Sequence, residues 1–345
     1  MEKETTIYDI AERLKLSPAT ISRALNDHPA INHDTKSIIA ATAQQMGYRA
    51  NMFASNLRRQ RSNTIGVIVG SLTSSFMSSV LAGMEQVANE ASYNLIISQS
   101  LESAKKEIAN ARTMFDSRVD GLLVSVAYDT DSFDHFEPFI RKKIPLLFFD
   151  RVLTHKQCTS ITIDNAQAGY EATSHLIEQG CRRIMHVTGS LKRNVYADRL
   201  AGYRQALMQH NLPIDESLIL VTNLDREAGF DAARQLQAMD NRPDGMFITN
   251  DFCAASSIIA LQKLGLSVPN DVAVVGFNDD TVAQIVAPQL TTIHYSGITM
   301  GEVAAKSLIN HLTGVQDILT TNRIILRSEL VIRESSLRSA GGVRS

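Results

Sequence analysis

Residues 17–23 combine short polar side chains with one arginine, a set of residue types suited to reading DNA. A helix that enters the major groove needs small side chains for close approach, hydroxyl groups that bind phosphates and an arginine that reaches guanine. The residues that meet these needs are Ser17, Ala19, Thr20, Ser22 and Arg23. The pattern predicts a DNA-reading helix, and an ordinary small helical bundle is the alternative.

Short helical patterns position that segment. Thr6 and Asp9 have the spacing of a capping box and predict a first helix through about Leu14. Ser17 followed by Pro18 predicts an N-cap with proline at the first helical position, so a second helix should run to about residue 26. The two residues between these helices leave room only for a tight helix-turn-helix.

A third helical pattern occupies residues 32–47. Asn32 is a suitable N-cap, and Gly47 is expected to end the helix. Ile38, Ile39 and Met46 are predicted to point inward. These three helices would form one small all-α unit.

The composition indicates a globular protein with an uneven charge distribution. The chain has 345 residues, of which 44% are hydrophobic, enough for two or three domains with their own cores. Its net charge is −2, yet residues 13–61 contain eight basic and two acidic side chains. The whole-chain balance demands no polyanionic partner, but residues 13–61 are basic and the remainder is acidic overall.

From about residue 64, short apolar runs of strand length alternate with helical patterns. Such strands indicate parallel sheets covered on both faces, and nine of them exceed one sheet of ordinary size. Two α/β lobes with a cleft between them are predicted, with ligands at the loops that follow the strands. The runs are residues 65–70, 95–98, 121–126, 145–150, 160–164, 183–187, 218–221, 245–249 and 272–276.

Motifs of catalysis, metal binding and secretion are missing from the sequence. It contains no G-x-S-x-G, P-loop or dinucleotide-binding fingerprint, and its nine histidines form no metal-type cluster. Cys158, Cys181 and Cys253 lack the spacing of a zinc site and are expected to be buried or incidental thiols. We expect a cytoplasmic protein that is not an enzyme and has no cofactor, metal or membrane segment.

Residues 6–26 (TIYDIAERLKLSPATISRALN) and 47–51 (GYRAN) resemble the DNA-binding headpiece of the lactose repressor and galactose repressor family. The resemblance covers about residues 5–337. Further motifs in the family's order are residues 119–123 (VDGLL), Asp164 and Asn165 with Gly169, residues 199–203 (RLAGY), Asn250 and Asp251, and residues 268–277 (VPNDVAVVGF), 290–293 (LTTI) and 330–333 (LVIR). The resemblance implies an all-α helix-turn-helix headpiece and an α/β two-lobed core with parallel sheets, similar to periplasmic sugar-binding proteins.

The resemblance also implies a division of the chain into domains. Residues 1–48 would be the headpiece, residues 49–61 a hinge helix and linker, residues 62–338 the effector-binding and dimerisation core, and residues 339–345 a disordered tail. The chain of this family crosses between lobes three times. One lobe would therefore take about residues 62–161 and 293–322, and the other about residues 162–292 and 323–338.

The resemblance assigns a wedge to the hinge. Leu57 would enter the minor groove and bend the DNA, with Arg58 close to phosphates; the alternative for Leu57 is an ordinary linker residue that packs on the core. Lys15 departs from the family, which commonly has glycine in this tight turn. The residues assigned to DNA by the helix pattern and the resemblance are Thr6, Tyr8, Ser17, Pro18, Ala19, Thr20, Ser22, Arg23, Asn26, Asn51, Ala54, Leu57 and Arg58.

The resemblance places an effector in the cleft. The alternatives are core packing for Phe76 and a surface charge for Arg151, whereas Arg199 lies in a helix-start pattern that argues for a role. The residues assigned to the effector are Phe76, Arg151, Arg193, Arg199, Asn250 and Asn278.

The charge of the effector is left open between two readings. Three arginines, with Asn278 where many relatives have aspartate, favour an acidic or phosphorylated sugar. In the competing reading, Asp279 takes the aspartate's role and the sugar is neutral.

The resulting expectation is a ligand-responsive transcription regulator, a repressor of carbohydrate-utilisation genes. It would bind a pseudopalindromic operator as a homodimer, since the tail lacks leucine heptads. The alternative functions are a solute-binding protein or a sugar-processing enzyme with the same core. The predicted helix-turn-helix opposes both.

Overall fold

The computed structural model describes residues 5–48 and 61–338, which belong to two compact units. The first unit ends at Ser62 and the second begins at Asn63. Each unit has its own hydrophobic core.

The first unit contains three helices, α1 (Ile7–Leu14), α2 (Pro18–Leu25) and α3 (His33–Gln45). Each predicted cap is present. The Asp9 carboxylate accepts a hydrogen bond from the Thr6 N–H at 2.7 Å, and the Asp9 N–H donates to the Thr6 hydroxyl at 3.4 Å. Ser17 and Asn32 cap the next two helices through their side chains. The predicted starts of all three helices are therefore confirmed.

The three helices bury a small apolar core. Its buried members are Ile10, Ala11, Ile21, Ala24, Ile39 and Ala43. Ile39 points inward and Met46 packs against this core, as predicted. The inward orientation predicted for Ile38 is wrong, because this side chain is 57% exposed. Ile39 and Ala43 are four residues apart and share the buried face, so the residue before Ile39 lies off that face.

Lys15 occupies a left-handed turn between α1 and α2. Its φ is 50° and its ψ is 39°. A side chain other than glycine costs about 1 kcal/mol in this region, because its Cβ approaches the following carbonyl oxygen. The turn thus has the conformation for which glycine is favoured.

A six-stranded parallel sheet forms the first lobe of the second unit. Its strands are β1 (Thr64–Val69), β2 (Asn94–Gln99), β3 (Gly121–Val124), β4 (Leu146–Phe149), β5 (Thr159–Ile163) and β11 (Arg323–Leu326), in the spatial order β11-β5-β4-β3-β1-β2. The accompanying helices are α4 (Ser75–Glu90), α5 (Ala104–Asp116), α6 (Glu137–Arg141) and α12 (Gly297–Thr313). Helices α4 and α12 touch closely at Gly301, where a Cβ would collide with the Val80 carbonyl oxygen.

A four-stranded parallel sheet forms the second lobe. Its strands are β6 (Ile184–Thr188), β7 (Ile219–Val221), β8 (Gly245–Ile248) and β9 (Ala273–Val275), in the order β7-β6-β8-β9. The accompanying helices are α7 (Asn165–Glu178), α8 (Asn194–Gln209), α9 (Arg226–Ala238), α10 (Asp251–Lys263) and α11 (Thr281–Ile285). All nine predicted strands are present in the two sheets.

The chain crosses between the lobes near residue 164, through β10 (Thr292–His294) and through β12 (Glu329–Val331), and these last two pair antiparallel. The prediction that residues 323–326 belong to the second lobe is wrong. β11 pairs with β5, with Arg323 opposite Ser160, and so extends the first sheet. This pairing satisfies backbone groups that β5 would otherwise expose at an edge.

The three cysteines are free and buried, in agreement with the expectation of buried thiols. Among the helices of residues 5–48 and 61–338, none is long and apolar enough to cross a membrane.

Candidate functional sites

Helix α2 exposes the face that the sequence assigns to DNA. Ile21 and Ala24 bury the opposite face. Ala19, Arg23 and Asn26 are exposed. In the part of the chain that the structure describes, the Arg23 guanidinium forms no hydrogen bond or ion pair. Its five N–H donors are therefore available to an incoming base or phosphate.

The hydroxyl groups at the helix starts already stabilise the protein. The Ser17 hydroxyl accepts from the Thr20 N–H at 3.1 Å and lies 2.8 Å from the Thr20 hydroxyl. The Asn26 amide donates to the Ser22 carbonyl at 2.7 Å. Tyr8, on α1, is 68% exposed. Arg23 and Tyr8 are thus large, exposed side chains on the two helices of the helix-turn-helix.

The predicted hinge residues Asn51, Ala54, Leu57 and Arg58 lie outside the described residues. Their contacts with DNA stay predictions.

A cavity of about 790 Å³ lies at the carboxyl ends of the strands of both sheets. Its walls are the loops that follow the strands, which is where ligands of parallel sheets bind. The lining residues are Ser71, Thr73, Ser74, Ser75, Phe76, Met77, Glu102, Tyr128, Asp150, Arg151, Val195, Tyr196, Arg199, Asn223, Leu224, Asp225, Thr249, Asn250, Phe252, Asn278, Asp280, Val282 and Tyr295.

Arg199, from the first half of α8, is a fixed cation in this cavity. It is 3% exposed, and its guanidinium lies 3.5 Å from the centroid of the Phe277 ring. Its Nε donates to the Asn165 Oδ1 at 2.9 Å and its Nη1 to the Thr249 carbonyl at 3.2 Å. Both acceptors are neutral, so these bonds orient the guanidinium without cancelling its charge.

Arg151 also lines the cavity, but its charge is already paired. Its Nη1 lies 2.6 Å from the Glu102 Oε2, and its Nη2 donates to the Glu102 Oε1 at 3.1 Å. Its guanidinium carbon lies 4.7 Å from the centroid of the Tyr128 ring. The alternative of a surface charge for Arg151 is wrong, because this residue is 5% exposed.

The backbone that carries Glu102 is strained. Leu101 and Glu102 have φ of 50° and 60°, and the Ser103 N–H donates to the Ser100 carbonyl at 3.1 Å across them. Two positive φ values in succession define a turn normally built from glycine or asparagine, and each such residue costs about 1 kcal/mol. Strain of this kind is concentrated at functional sites.

Asp150 is a cavity residue that the sequence reasoning did not single out. Its φ is 56°, and its Oδ2 lies 3.9 Å from the Arg151 Nε and 3.5 Å from the Ser125 hydroxyl. Burial raises the pKa of this carboxyl group, although Arg151 opposes the shift. Because these two contacts are long, the Asp150 carboxyl group, at the carboxyl end of β4, is suited to accept hydrogen bonds from ligand hydroxyl groups. Its position directly after β4 was the available signal.

Asp251 belongs to a family motif but was not assigned to a site; it positions the cavity loop and does not line the cavity. Its carboxyl group accepts from the Thr292 hydroxyl at 2.7 Å and from the Asp280 N–H at 2.8 Å. Burial raises its pKa to about 7. Asn250, directly before it, lines the cavity and also caps α10 by accepting from the Cys253 N–H at 3.0 Å.

Asn278 lines the cavity and Asp279 does not. The Tyr295 hydroxyl donates to the Asn278 Oδ1 at 3.0 Å. Asp279 instead pairs with Arg333 at 2.6 Å and with His294 at 3.0 Å. Asp280 lines the cavity, and burial raises the pKa of its carboxyl group. Asp280, and not Asp279, is thus the carboxyl group of this loop that lines the cavity.

Arg193 is buried but is not among the residues that line the cavity. Its Nη2 donates to the Thr130 carbonyl of the other lobe at 2.5 Å. Nearby, the Tyr128 and Tyr196 hydroxyls, also from opposite lobes, are 2.8 Å apart. Arg193 thus joins the lobes, whereas the prediction placed it on the effector.

Aromatic rings complete the cavity. Phe76 is 7% exposed and packs on Tyr295 with ring centroids 4.7 Å apart. It serves both readings, because it belongs to the core and also lines the cavity. Phe252, on α10, is 52% exposed and presents a further ring. Rings of this kind cover the apolar faces of sugars.

Comparison with known proteins gives the same organisation. A model described as bacterial regulatory proteins of the lacI family matches residues 6–51, and a periplasmic binding protein-like domain matches residues 173–336. HTH-type transcriptional regulator RegA of Clostridium saccharobutylicum is 31% identical over 339 residues, 96% of this chain and 99% of the relative. Catabolite control protein A of Priestia megaterium is 30% identical over 308 residues, 89% of this chain and 92% of the relative.

A solved complex of the transcriptional regulator CelR with cellobiose has 25% identity, a TM-score of 0.73, and covers 96% of this chain and 100% of that one. The capped helix-turn-helix, the two-lobed core and the cleft thus occur in the order shared by regulators of similar length. The chain belongs to the lacI family of bacterial regulatory proteins and is a DNA-binding transcription regulator.

Proposed function

We propose that this chain represses transcription by binding an operator through α2, and that a sugar in the cleft changes its affinity for the operator. The observation that carries the proposal is the presence, in one chain, of an exposed Arg23 with no partner among the described residues and of a cavity lined by aromatic rings, amides and carboxyl groups. The cellobiose held by the similar CelR structure supports a carbohydrate in this position.

The proposed effector contacts are Arg199, Asn250, Asn278 and Phe76, with Asp150 added from the structure. Loops of both lobes contribute them, so a bound ligand would contact both lobes at once. Its binding would favour one interlobe angle over another, which provides the differential affinity that an effector needs. The protein would act in the cytoplasm, where its DNA is found.

The proposed assembly is a homodimer on a pseudopalindromic operator. β2 is an edge strand of the first sheet, and its residues Ile96 and Ile97 are 37% and 41% exposed. An exposed apolar edge favours association with a second chain. Sedimentation analysis should give a dimer for the natural chain and a monomer for Ile97→Lys.

The alternative function is solute binding without regulation, and the two functions differ in the need for DNA. Site selection from random duplexes should yield a two-fold symmetric motif for the full chain. For Arg23→Ala, one position in each half-site should become degenerate, a loss of about 1 to 3 kcal/mol of base discrimination.

The matched control is Arg13→Ala, which removes an exposed arginine from the last turn of α1. It should keep the selected motif and only weaken binding. An unselective natural chain would contradict the DNA-binding role, and an unchanged motif for Arg23→Ala would contradict the role of this arginine.

A further inference from the structure

We propose that the Arg151–Glu102 pair is a specificity-determining element that makes the cleft select neutral sugars with vicinal hydroxyl groups over sugar acids and sugar phosphates. The inference rests on the proposed function and names the chemical class of the effector.

The cavity offers few free cations to an acidic ligand. The sequence offered Arg151, Arg193 and Arg199, but Arg193 is not among the residues that line the cavity. Both terminal nitrogens of Arg151 bind Glu102. Of the two arginines that line the cavity, Arg199 is the one whose guanidinium contacts no carboxylate within the described residues.

Several carboxyl groups line the same cavity. Once Glu102 is set against Arg151, three carboxyl groups still line the walls, those of Asp150, Asp225 and Asp280. A carboxylate or phosphate on the ligand would meet these groups with Arg199 as its single counter-charge. Like charges brought together in a partly dehydrated cleft disfavour binding, so the cavity discriminates against anions.

The Arg151–Glu102 pair offers hydrogen-bond acceptors to a neutral ligand. The Glu102 side chain is 29% exposed, so its carboxylate is not fully covered by Arg151. Each carboxylate oxygen accepts one bond from Arg151 and has a second lone pair. Two adjacent oxygens with one free lone pair each match two adjacent ring hydroxyls as donors.

The backbone holds the Arg151–Glu102 pair in place at a cost in conformational strain. Leu101 and Glu102 both have positive φ, and Asp150, next to Arg151, has φ of 56°. Gly70 lies against the pair, because a Cβ there would collide with the Arg151 Nη2 and the Glu102 Oε1. A solvent-exposed ion pair needs no such accommodation. The strained backbone and the close approach of Gly70 therefore indicate that the geometry of the pair matters to the ligand.

The experiment is isothermal titration of the full chain with matched neutral and acidic probes, namely cellobiose, glucose with glucuronate and glucose 6-phosphate, and galactose with galacturonate. The natural chain should bind at least one neutral sugar, with its acidic counterpart at least tenfold weaker. Glu102→Gln removes the carboxylate that binds both terminal nitrogens of Arg151, so the ratio of neutral to acidic affinity should fall at least tenfold. In Glu102→Gln with Arg151→Gln, both charges are removed and the ratio should return.

The control is Asp131→Asn, which breaks an exposed ion pair with Lys192 away from the cavity lining and should leave the ratio unchanged. The ligand provides a test that needs no variant. Within the monodeoxy series of the neutral sugar that binds, removal of either of two adjacent hydroxyls should weaken binding at least tenfold.

The outcomes separate the two proposals. If the natural chain binds none of the probes, the sugar effector fails and the selectivity fails with it. If it prefers the acidic probe, or if Glu102→Gln keeps the natural ratio, the role of the pair is overturned while a sugar effector stands. If every monodeoxy sugar binds equally well, the diol contact is wrong.

Discussion

Helix α2 and the interlobe cavity prepare for their ligands in opposite ways. On α2, Arg23 is exposed and has no partner within the described residues. In the cavity, Arg199 and Arg151 are almost fully buried, and their hydrogen-bond partners are already in place. A long, charged polymer attracts an exposed cation from a distance, whereas a small ligand is recognised by groups held in a fixed geometry. Changes in the cavity should therefore alter both stability and binding, and changes on α2 binding alone.

The largest effect is expected from Asp251, the buried carboxyl group behind the cavity loop. Its pKa is about 7 in the folded protein because of burial, against 3.8 when exposed. Between these values the folded state keeps a proton that the unfolded chain has lost, so stability falls as pH rises from about 4 to about 7. The difference in unfolding free energy between the natural chain and Asp251→Asn should change by about 4 kcal/mol over this window.

Urea denaturation of both proteins at several pH values measures this difference. Parallel pH dependences would show that Asp251 does not keep a proton in the folded state.

Arg199→Ala should have the next largest effect. The variant removes a guanidinium that two neutral acceptors and the Phe277 ring hold in the cavity, so the effector loses a charged hydrogen-bond donor and its affinity should fall by about 3 kcal/mol. Arg193→Ala is the matched control, since Arg193 is equally buried but not among the cavity-lining residues. Arg193→Ala should destabilise the fold but reduce effector affinity less than Arg199→Ala does. Equal losses of effector affinity in the two variants would remove the special role of Arg199.

Leu57→Ala tests the hinge prediction. Removal of an apolar wedge should lower operator affinity by about 2 kcal/mol and reduce DNA bending, because an inserted side chain unstacks a base step. Non-specific binding, which depends on charge, should persist with its salt dependence. A circular-permutation gel assay reports the bend, and a bend equal to that of the natural chain would contradict the wedge.

Lys15→Gly should have the smallest effect. Lys15 has φ of 50°, a region in which glycine has no steric cost, so the variant should stabilise the first unit by about 1 kcal/mol. Lys15→Ala is the control and should not stabilise, since alanine meets the same strain. Thermal unfolding measures the midpoints of both variants. Equal midpoints would rule out relief of backbone strain as the cause of any stabilisation by Lys15→Gly.

The two regions also differ in how far the sequence predicts them. The caps at Thr6, Ser17 and Asn32 close hydrogen bonds within three residues, so spacing alone predicts them correctly. The Arg151–Glu102 pair joins residues 49 positions apart, and no local pattern contains it. Arg193 illustrates the same limit, because Val195 and Tyr196, two and three residues further along the chain, line the cavity while the Arg193 side chain binds Thr130.

The strands show a similar division. Continuous apolar runs predict β1 to β9; most of these strands are buried on both faces, although β2 and β7 contain no buried residue. β11 and β12 are three or four residues long and half-exposed, so their apolar signal is weak, and their pairing depends on strands more than a hundred and sixty and about forty residues away, respectively. The lobe of residues 323–326 was missed for this reason.

The most direct test of the account couples the two regions in one titration. Fluorescence anisotropy with a duplex from site selection measures operator affinity of the natural chain, with and without a saturating sugar from the calorimetric panel. We predict at least a tenfold change in the Kd for the natural chain and none for Arg199→Ala at the same sugar concentration. An operator affinity that stays constant with every sugar that binds the cleft would contradict the claim that the cavity regulates α2.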